Sequence, residues 1–478
     1  MAKNHTYDVA IIGSGPNGLA AGITVAQSGR SVVIYEAQPT IGGGVRSDRL
    51  TVPGFMHDVC SAVYPLAVGS PFFRTLPLAD HGLQWIQPAA PLAHPFDDGT
   101  AITLERSIEA TSENFGPDKE TYRKLTAPFV EQWDALVGDI LAPPRLPRRP
   151  VILARFGLKA IRPARRLAES VFAGHKVRAL FGGLAAHSMI PLEYAASAAF
   201  GLVLAVSAHA VGWPIARGGA QSLTNALVSC FRGLGGEIVV NRRITNLNEM
   251  AASKVVICDL TPRQLTAIGG ERLSQNYRRR LQRYRYGLGA FKMDWALSGP
   301  VPWKAPQCAR AATVHLGGTL DEIALSERLA WQGSHAEKPF VLVVQPSLFD
   351  DSRAPAGKHT LWAYCHVPQG SAYDMSERIE AQIERFAPGF RARIIARSVL
   401  TPADLEGRNA NLVGGDINGG AAILSQLFFR PTAKLYKTSA RNIFICSSST
   451  PPGGGVHGMC GYFAARQALK ELERNRRG

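Results

Sequence analysis

The stretch YDVAIIGSGPNGLAAGITVAQSGRSVVIYE, residues 7–36, decides the fold. Its apolar run at 7–12 predicts a buried strand, and the glycine-rich GSGPNG that follows predicts a tight turn. Small and apolar residues from 19 to 29 have helical periodicity, and RSVVIYE at 30–36 predicts a second buried strand. Strand, turn, helix and strand in this order predict a βαβ unit with parallel strands, and therefore an α/β fold of Rossmann type.

The turn has the glycine spacing of a dinucleotide-binding site. Gly13 permits the tight turn, Gly15 lets the backbone approach a pyrophosphate, and Gly18 lets helix and strand pack closely. Glu36 follows Gly18 by 18 residues, which suits a carboxylate that accepts hydrogen bonds from the adenosine ribose. The alternative is a glycine-rich turn without a ligand. The cofactor-binding residues predicted in this stretch are Gly13, Ser14, Gly15, Pro16, Asn17, Gly18, Glu36 and Ala37.

A second glycine turn, IGGGVRS at 41–47, indicates which dinucleotide is bound. It resembles the second signature of FAD-dependent oxidoreductases, in which a glycine turn passes beside the pyrophosphate and an arginine approaches it. NAD dehydrogenases do not usually carry this turn. We therefore predict noncovalently bound FAD, with these further contacts: Gly42, Gly43, Gly44, Val45 and Arg46.

Two later segments supply the remaining pieces of a flavin-binding fold. GGAQSL at 218–223 leads into a helix and then into predicted strands at 237–244 and 254–259. The C-terminal strand NIFIC at 442–446 precedes the turn PPGGGVHGM and a closing helix, an arrangement that suits the flavin end of FAD. The cofactor contacts predicted in these segments are Ile244, Gly455, Val456 and Met459.

With these motifs in place, the sequence resembles the phytoene dehydrogenase-like family of flavoproteins over nearly its whole length. The stretches that carry the resemblance are GSGPNGL (13–19), PGFMHDVCS (53–61), WPIARGGAQSL (213–223), WAYCHVP (362–368), RFAPGF (385–390), LTPADLE (400–406), GGDINGG (414–420) and PPGGGVHGMCG (451–461). The resemblance implies an interrupted Rossmann-type FAD-binding domain, of the glutathione-reductase and amine-oxidase kind, with an inserted α+β substrate domain. It also implies an apolar substrate tunnel that ends at the flavin. The chain departs from many relatives of the amine oxidase superfamily at Ser447 and Ser448, where those proteins carry an acid.

The positions of the FAD motifs divide the chain into two predicted domains. We predict an FAD-binding domain from 1–70, 214–270 and 436–478, and a substrate domain from 71–213 and 271–435. Within the substrate domain, residue patterns predict helices at 107–115, 119–141 and 376–386, and strands at 340–344 and 361–364.

Composition excludes several classes of protein. The 478 residues are 46% hydrophobic and 19% charged, which excludes a disulfide-stapled miniprotein and a mainly disordered chain. The seven cysteines form no CxxC pair and no other metal-ligand spacing is present, so we predict no metal site and a reducing, cytoplasmic environment. Residues 194–216 lack charged side chains, and we interpret them as a buried helix rather than a membrane span.

Charge concentrates in one segment. The chain has 53 Lys and Arg against 37 Asp and Glu, a net charge of +16, and residues 140–168 contain eight cationic side chains and no acid. In a single helix, Arg155, Lys159, Arg162 and Arg166 would share one face. Three interpretations remain open: a solvated lid, peripheral contact with an anionic membrane, and nucleic-acid binding, which we do not expect because no recognition motif accompanies the charge.

The predicted chemistry follows from the resemblance and its cofactor. Hydride transfer between flavin and an apolar, polyene-like or lipid-like substrate would desaturate, saturate or isomerise it. Candidate catalytic side chains are Asp416, which could equally be a turn residue, and His457. An amine or amino-acid oxidase and a non-catalytic GDI-like binding protein remain as alternatives. The oligomeric state stays open.

Overall fold

The computed structural model describes residues 7–477, with side chains to residue 474. Residues 1–6 and 478, at the ends of the predicted segments 1–70 and 436–478, lie outside the described residues. The strands are β1 Val9–Ile12, β2 Val32–Tyr35, β3 Ser47–Asp48, β4 His57–Asp58, β5 Trp85–Ile86, β6 Ala90–Pro95, β7 Ala101–Leu104, β8 Ile215–Ala216, β9 Glu237–Val239, β10 Val255–Cys258, β11 Gly289–Leu297, β12 Ala311–Leu316, β13 Val341–Val344, β14 His359–Val367, β15 Ile394–Leu400 and β16 Ile443–Ile445.

The helices are α1 Pro16–Ala26, α2 Pro65–Val68, α3 Ile108–Glu113, α4 Lys119–Glu131, α5 Trp133–Ile140, α6 Pro150–Ala160, α7 Ala164–Val171, α8 His175–Ala186, α9 Ser197–Ala210, α10 Ala220–Gly233, α11 Pro262–Gly269, α12 Gln275–Gln282, α13 Leu320–Trp331, α14 Ser376–Phe386, α15 Pro402–Arg408, α16 Leu424–Phe428 and α17 Met459–Arg477. Seven of the helices, α3 to α9, follow one another between β7 and β8, and the others lie between or after the remaining strands.

A five-stranded parallel sheet, ordered β16-β10-β1-β2-β9, is the first of the two larger sheets. Its strands come from all three segments that the sequence assigned to FAD binding. The central strands are buried on both faces, because α1, α10 and α17 pack on one side and α11 and α12 on the other. The predicted α/β class with a parallel Rossmann-like sheet is confirmed.

A seven-stranded, mainly antiparallel sheet, ordered β15-β11-β14-β13-β12-β6-β7, forms the second half of the molecule. One of its faces carries Phe291, Met293 and Trp295 and packs against α14. The opposite face, with Ala290, Lys292 and the side chains of neighbouring strands, is directed to a cavity.

Two predicted elements are wrong in their bounds. The strand predicted at 237–244 ends at Val239, because Asn241 adopts a left-handed φ of +54° and turns the chain back toward Glu36. The helix predicted at 119–141 divides into α4 and α5 at Gln132, whose φ of −110° and ψ of 24° leave the helical region.

The basic segment forms two helices, α6 and α7. Because Pro163 cannot continue a helix, α6 ends at Ala160 and α7 starts at Ala164. The four cations at 155, 159, 162 and 166 are therefore distributed over two helices and their link, and the condition of a single helix, under which they would share one face, is not met.

The uncharged stretch 194–216 contains α9, whose inward side chains are buried. Within residues 7–477, none of the helices has the length and apolar character needed to cross a membrane. The prediction of a buried helix in this stretch is confirmed.

Gly461 controls the packing of α1 against α17. An ideal Cβ at this position would lie 1.8 Å from the carbonyl oxygen of Asn17, a backbone atom that cannot move independently of α1. We expect Gly461→Ala to separate the two helices and to lower the free energy of unfolding by about 1–3 kcal/mol in urea titrations.

Gly407→Ala is the matched control, because the new methyl group in α15 meets open space. It should leave the midpoint unchanged or raise stability by up to about 1 kcal/mol. Equal midpoints for Gly461→Ala and wild type would contradict the packing constraint.

Candidate functional site

A cavity of about 700 Å³ lies between the carboxyl ends of the parallel strands and the second sheet. A crevice at the carboxyl ends of parallel strands is the usual ligand position in open α/β sheets. One end of the cavity is lined by the glycine turns and the other by apolar and aromatic side chains of α9, β13 and β14.

The first glycine turn requires its glycines for physical reasons. Gly13 has a φ of +100°, and a Cβ on Gly18 would lie 2.0 Å from the carbonyl oxygen of Gly13. This close contact brings the start of α1 against β1 and leaves the helix N-terminus open to the cavity. Such a terminus presents backbone N–H groups and a positive dipole end to an anion.

Glu36 is buried beside this turn and lines the cavity. Its carboxylate accepts hydrogen bonds from the backbone N–H of Ser14 at 3.0 Å, the Ser14 hydroxyl at 2.6 Å and the backbone N–H of Gln38 at 2.8 Å. These bonds fix the carboxylate at the end of β2, where the sequence placed the ribose acceptor.

The second glycine turn passes directly over the first. A Cβ on Gly43, whose φ is +58°, would lie 3.0 Å from the Cα of Gly15. Arg46 is held by hydrogen bonds to the carbonyl oxygens of Gly43 and Arg408 and to the Thr40 hydroxyl. Burial lowers the pKa of Arg46 from its ordinary value.

Most of the predicted cofactor residues reach the cavity. The residues that line it are Gly13, Ser14, Gly15, Pro16, Asn17, Glu36, Ala37, Gly43, Gly44, Val45, Arg46, Ile244, Gly455 and Val456. Gly18, Gly42 and Met459 are not part of the lining. Gly18 and Gly42 instead permit close backbone contacts within their turns, and Met459 begins α17.

The two predicted catalytic side chains do not line the cavity. Asp416 is fully buried and accepts hydrogen bonds from the backbone N–H groups of Gly287 at 2.7 Å and Asn418 at 2.8 Å. His457 is equally buried, and its Nδ1 accepts a hydrogen bond from the backbone N–H of Met459 at 3.0 Å. Burial raises the pKa of Asp416 and lowers that of His457 to about 4. These contacts favour the turn-forming alternative for Asp416 and a helix-start role for His457.

Sequence reasoning missed several polar residues at the cavity: His187, Trp213, Asp259, Lys292 and Trp362. Only Asp259 had a local signal, because it ends the predicted strand KVVICD on the central sheet. The others come from distant parts of the chain: Lys292 and Trp362 lie on the second sheet, His187 follows α8 and Trp213 follows α9.

Lys292, which lines the cavity, belongs to a buried cluster of ionisable side chains with Asp294 and His57. Its ammonium forms an ion pair with Asp294, and Nδ1 of His57 lies 3.6 Å from the same carboxylate. Burial raises the pKa of Asp294 to about 6, opposed by Lys292, and burial together with nearby cations lowers the pKa of His57 to about 3.

The residues at the first turn fit a bound dinucleotide. Asn17 is buried, lines the cavity and has a side-chain oxygen without a hydrogen-bond partner among the described residues. A Cβ on Gly43 would fill the gap between the two turns, and a Cβ on Gly15 would lie 2.8 Å from Oδ2 of Asp259. We find no cluster of His, Cys, Asp or Glu that could hold a metal ion within the residues that the structure describes.

The chain is similar to known oxidoreductases. Residues 11–76 match the NAD(P)-binding Rossmann-like domain. Pyridine nucleotide-disulfide oxidoreductase domain-containing protein 2 of Mus musculus is 24% identical over 98% of this chain and 94% of its own. A lycopene-forming phytoene desaturase of a Paracoccus strain is 23% identical over 94% of both chains.

Solved structures share the fold over nearly the full length. An oxidoreductase from Methanosarcina mazei has a TM-score of 0.68 and 12% identity, with 97% of this chain and 99% of the other covered. A putrescine oxidase variant has a TM-score of 0.62 and 16% identity, with 98% and 99% covered. The predicted resemblance to phytoene dehydrogenase-like proteins is confirmed, and the solved structures show that the fold is shared.

Asp259 makes the first turn sensitive to pH. Its Oδ2 accepts a hydrogen bond from the backbone N–H of Gly18 at 3.0 Å, and burial raises its pKa to about 7, with a further contribution from Glu36. Because the folded-state pKa is higher than the unfolded value, the folded protein binds more protons between about pH 4 and 7 and loses stability as pH rises through that window.

We therefore expect Asp259→Asn to flatten the decline in the free energy of unfolding of the ligand-free protein between pH 4 and 7. The amide keeps an oxygen for Gly18 but has no charge to bury. Urea midpoints measured at intervals across this range test the effect, and an identical slope in both proteins would exclude Asp259 as its source.

Proposed function

We propose that the chain is an FAD-dependent oxidoreductase that moves a hydride between noncovalently bound FAD and an apolar substrate of the isoprenoid, polyene or lipid class. The observation that carries this proposal is a single cavity in which two dinucleotide-type glycine turns are continuous with an apolar, aromatic wall. Full-length similarity to phytoene desaturases supports the same substrate class.

The residues of the first two turns would hold the dinucleotide. Glu36 would accept hydrogen bonds from the adenosine ribose, and the N-terminus of α1 with the glycine turn would face the pyrophosphate. Gly455 and Val456 of the C-terminal turn would face the flavin end. When bound, FAD supplies the hydride chemistry, for which protein side chains have no equivalent.

The other end of the cavity determines what can enter. Phe200 and Leu204 of α9 face Leu342 and Val344 of β13, and the Trp362 and Tyr364 rings pack at a 5.1 Å centroid distance. These side chains exclude water and favour extended hydrocarbon surface, which contributes about 25 cal/mol for each Å² buried. Within the described chain the lining carboxylates, Glu36 and Asp259, lie at the dinucleotide end.

An amine oxidase is the second candidate, because putrescine oxidase and cyclohexylamine oxidase share the fold. The charges at the wall favour the first proposal. Lys292 lines the cavity and is paired with Asp294, which does not line it, so this ion pair offers no free carboxylate to bind an alkylammonium ion.

The flavin proposal is tested on the purified protein. We expect a yellow protein whose chromophore passes into the supernatant after acid precipitation, and a Glu36→Arg variant with little bound flavin because a cation replaces the ribose acceptor. Glu271→Arg, an equal charge change at an exposed position, should retain flavin.

Anaerobic titration then separates the substrate classes. Bleaching of the flavin absorbance by a carotenoid but not by putrescine supports the proposal. Bleaching by amines alone would show that the protein is an amine oxidase instead. A colourless protein that takes up no FAD would contradict both and leave the non-catalytic alternative.

We also propose that the basic segment contacts an anionic membrane from which an apolar substrate enters. Its apolar side chains are unusually exposed: Leu146 is 93% exposed, Leu158 74% and Val151 65%. Arg148, Arg149 and Arg155 are exposed among them, which is the composition of an interfacial helix. The segment is also close to the cavity, because α6 packs against α9, which carries the lining residues Phe200 and Leu204.

Liposome co-sedimentation tests this contact. Each of the three arginines should contribute about 1 kcal/mol near an anionic leaflet, so changing all three to Gln should reduce binding by roughly a hundredfold. The matched control removes three exposed arginines in and just after α12, which packs on the parallel sheet: Arg279, Arg280 and Arg283. Equal losses in both triple variants would show a nonspecific charge effect, and equal binding to neutral liposomes would contradict the electrostatic part.

A further inference from the structure

The cavity-facing side of the second sheet carries polar side chains in an otherwise apolar wall. Register pairing places these residues of adjacent strands in one row: Lys292, Tyr364, Leu342 and His315. Lys292 and Tyr364 line the cavity directly, whereas His315 is fully buried at the far end of the row.

His315 reaches the cavity through a second histidine. His187, which follows the end of α8, lines the cavity, and its Nε2 lies 3.0 Å from the Nε2 of His315. One ring nitrogen in this contact must carry the proton and the other must accept it. The position of that proton determines which group His187 presents to a ligand.

The surroundings of His315 decide the tautomer. Its Nδ1 is buried without a hydrogen-bond partner in the described part of the chain, and a Cβ on Gly183 would lie only 2.7 Å from it. A proton on this atom would be a buried, unsatisfied donor, which costs more than an unused acceptor. The proton of His315 is therefore on Nε2 and is donated to His187.

His187 consequently has its own proton on Nδ1. No hydrogen bond of Nδ1 to another described residue is present, and this atom is not closed off from the cavity. Burial, assisted by the neighbouring His366, lowers the pKa of His187 to about 3, so the ring is neutral. His187 thus offers a neutral N–H donor.

The donor lies near the predicted flavin end of the cavity. The amide of Asn418 donates a hydrogen bond to the carbonyl oxygen of His187 at 3.3 Å, and Asn418 contacts Gly454 of the C-terminal turn. The Trp213 ring lies edge-on to His187 at 6.1 Å, and its indole N–H is buried without a partner among the described residues. Donors without acceptors therefore face this part of the cavity.

We propose that His187 donates a hydrogen bond to an oxygen atom of the substrate, and that His315 is a positioning residue that fixes the required tautomer. The substrate is then an apolar molecule with a carbonyl, hydroxyl or ether oxygen rather than a plain hydrocarbon. This inference rests on the proposed apolar substrate and specifies its class.

A matched pair of ligands tests the inference. Farnesyl methyl ether can only accept a hydrogen bond, and farnesene supplies a similar hydrocarbon skeleton without oxygen. Binding to the FAD-loaded protein is followed by quenching of tryptophan fluorescence, which requires no turnover. We expect wild type to bind the ether roughly three- to tenfold more tightly than the hydrocarbon.

The variants separate donation from packing. His187→Phe should abolish the preference while retaining farnesene binding, and His187→Asn, which keeps an N–H donor, should restore part of it. His315→Phe should weaken the preference because the tautomer is no longer fixed. His175→Phe, at an exposed position away from the cavity lining, is the control and should behave as wild type.

The outcomes distinguish this inference from the proposed function. Equal affinity of wild type for both ligands, or a preference retained in His187→Phe, would overturn the role of His187 and leave the flavin proposal intact. If neither ligand binds, the proposed apolar substrate class is wrong, and the inference falls with it.

Discussion

The buried ion pair between Asp58 and Arg353 joins segments that are far apart in the chain. The Arg353 guanidinium lies 2.7 Å from one carboxylate oxygen of Asp58, and both side chains are almost fully buried. The other carboxylate oxygen accepts hydrogen bonds from the Ser47 hydroxyl and the backbone N–H of Ala220. One carboxylate therefore fixes the β3–β4 hairpin, the start of α10 and the loop before β14. Because a buried charge without its partner is strongly destabilising, these three elements must assemble together.

Ionisable side chains near the cavity are likewise either paired or neutral. Lys292 has Asp294 as its partner, and the histidines nearby are kept neutral because burial lowers the pKa of His57 and of His187 to about 3. A neutral imidazole can donate or accept a hydrogen bond without the desolvation cost of a buried cation. The wall of the cavity consequently combines apolar surface with directional polar groups.

The dinucleotide half of the site was predictable because its determinants are local. Gly13, Gly15 and Gly18 are needed by one turn, and Glu36 follows at the end of the next strand. Their spacing in the sequence is therefore enough to predict how they are arranged in the site. The substrate half has no such spacing. His187 and Lys292 become neighbours of the cavity only through the register of β11 to β14 and the end of α8, which hydrophobic patterns do not determine. The predicted bounds of two elements were wrong for a related reason. The backbone conformations of Asn241 and Gln132 end a strand and a helix, although the residue pattern used to predict each element continues past them.

The strand order of the parallel sheet governs how the chain is completed during synthesis. β1 pairs with β10, and β10 in turn pairs with β16, which contains residues 443–445. A nascent chain that lacks its last segment leaves the edge of β10 unpaired and the α1 surface that receives α17 uncovered. Such non-local pairing slows folding and exposes an aggregation-prone edge until β16 is available to pair with β10. The parallel sheet therefore cannot be completed until residues 443–477, with β16 and α17, have left the ribosome.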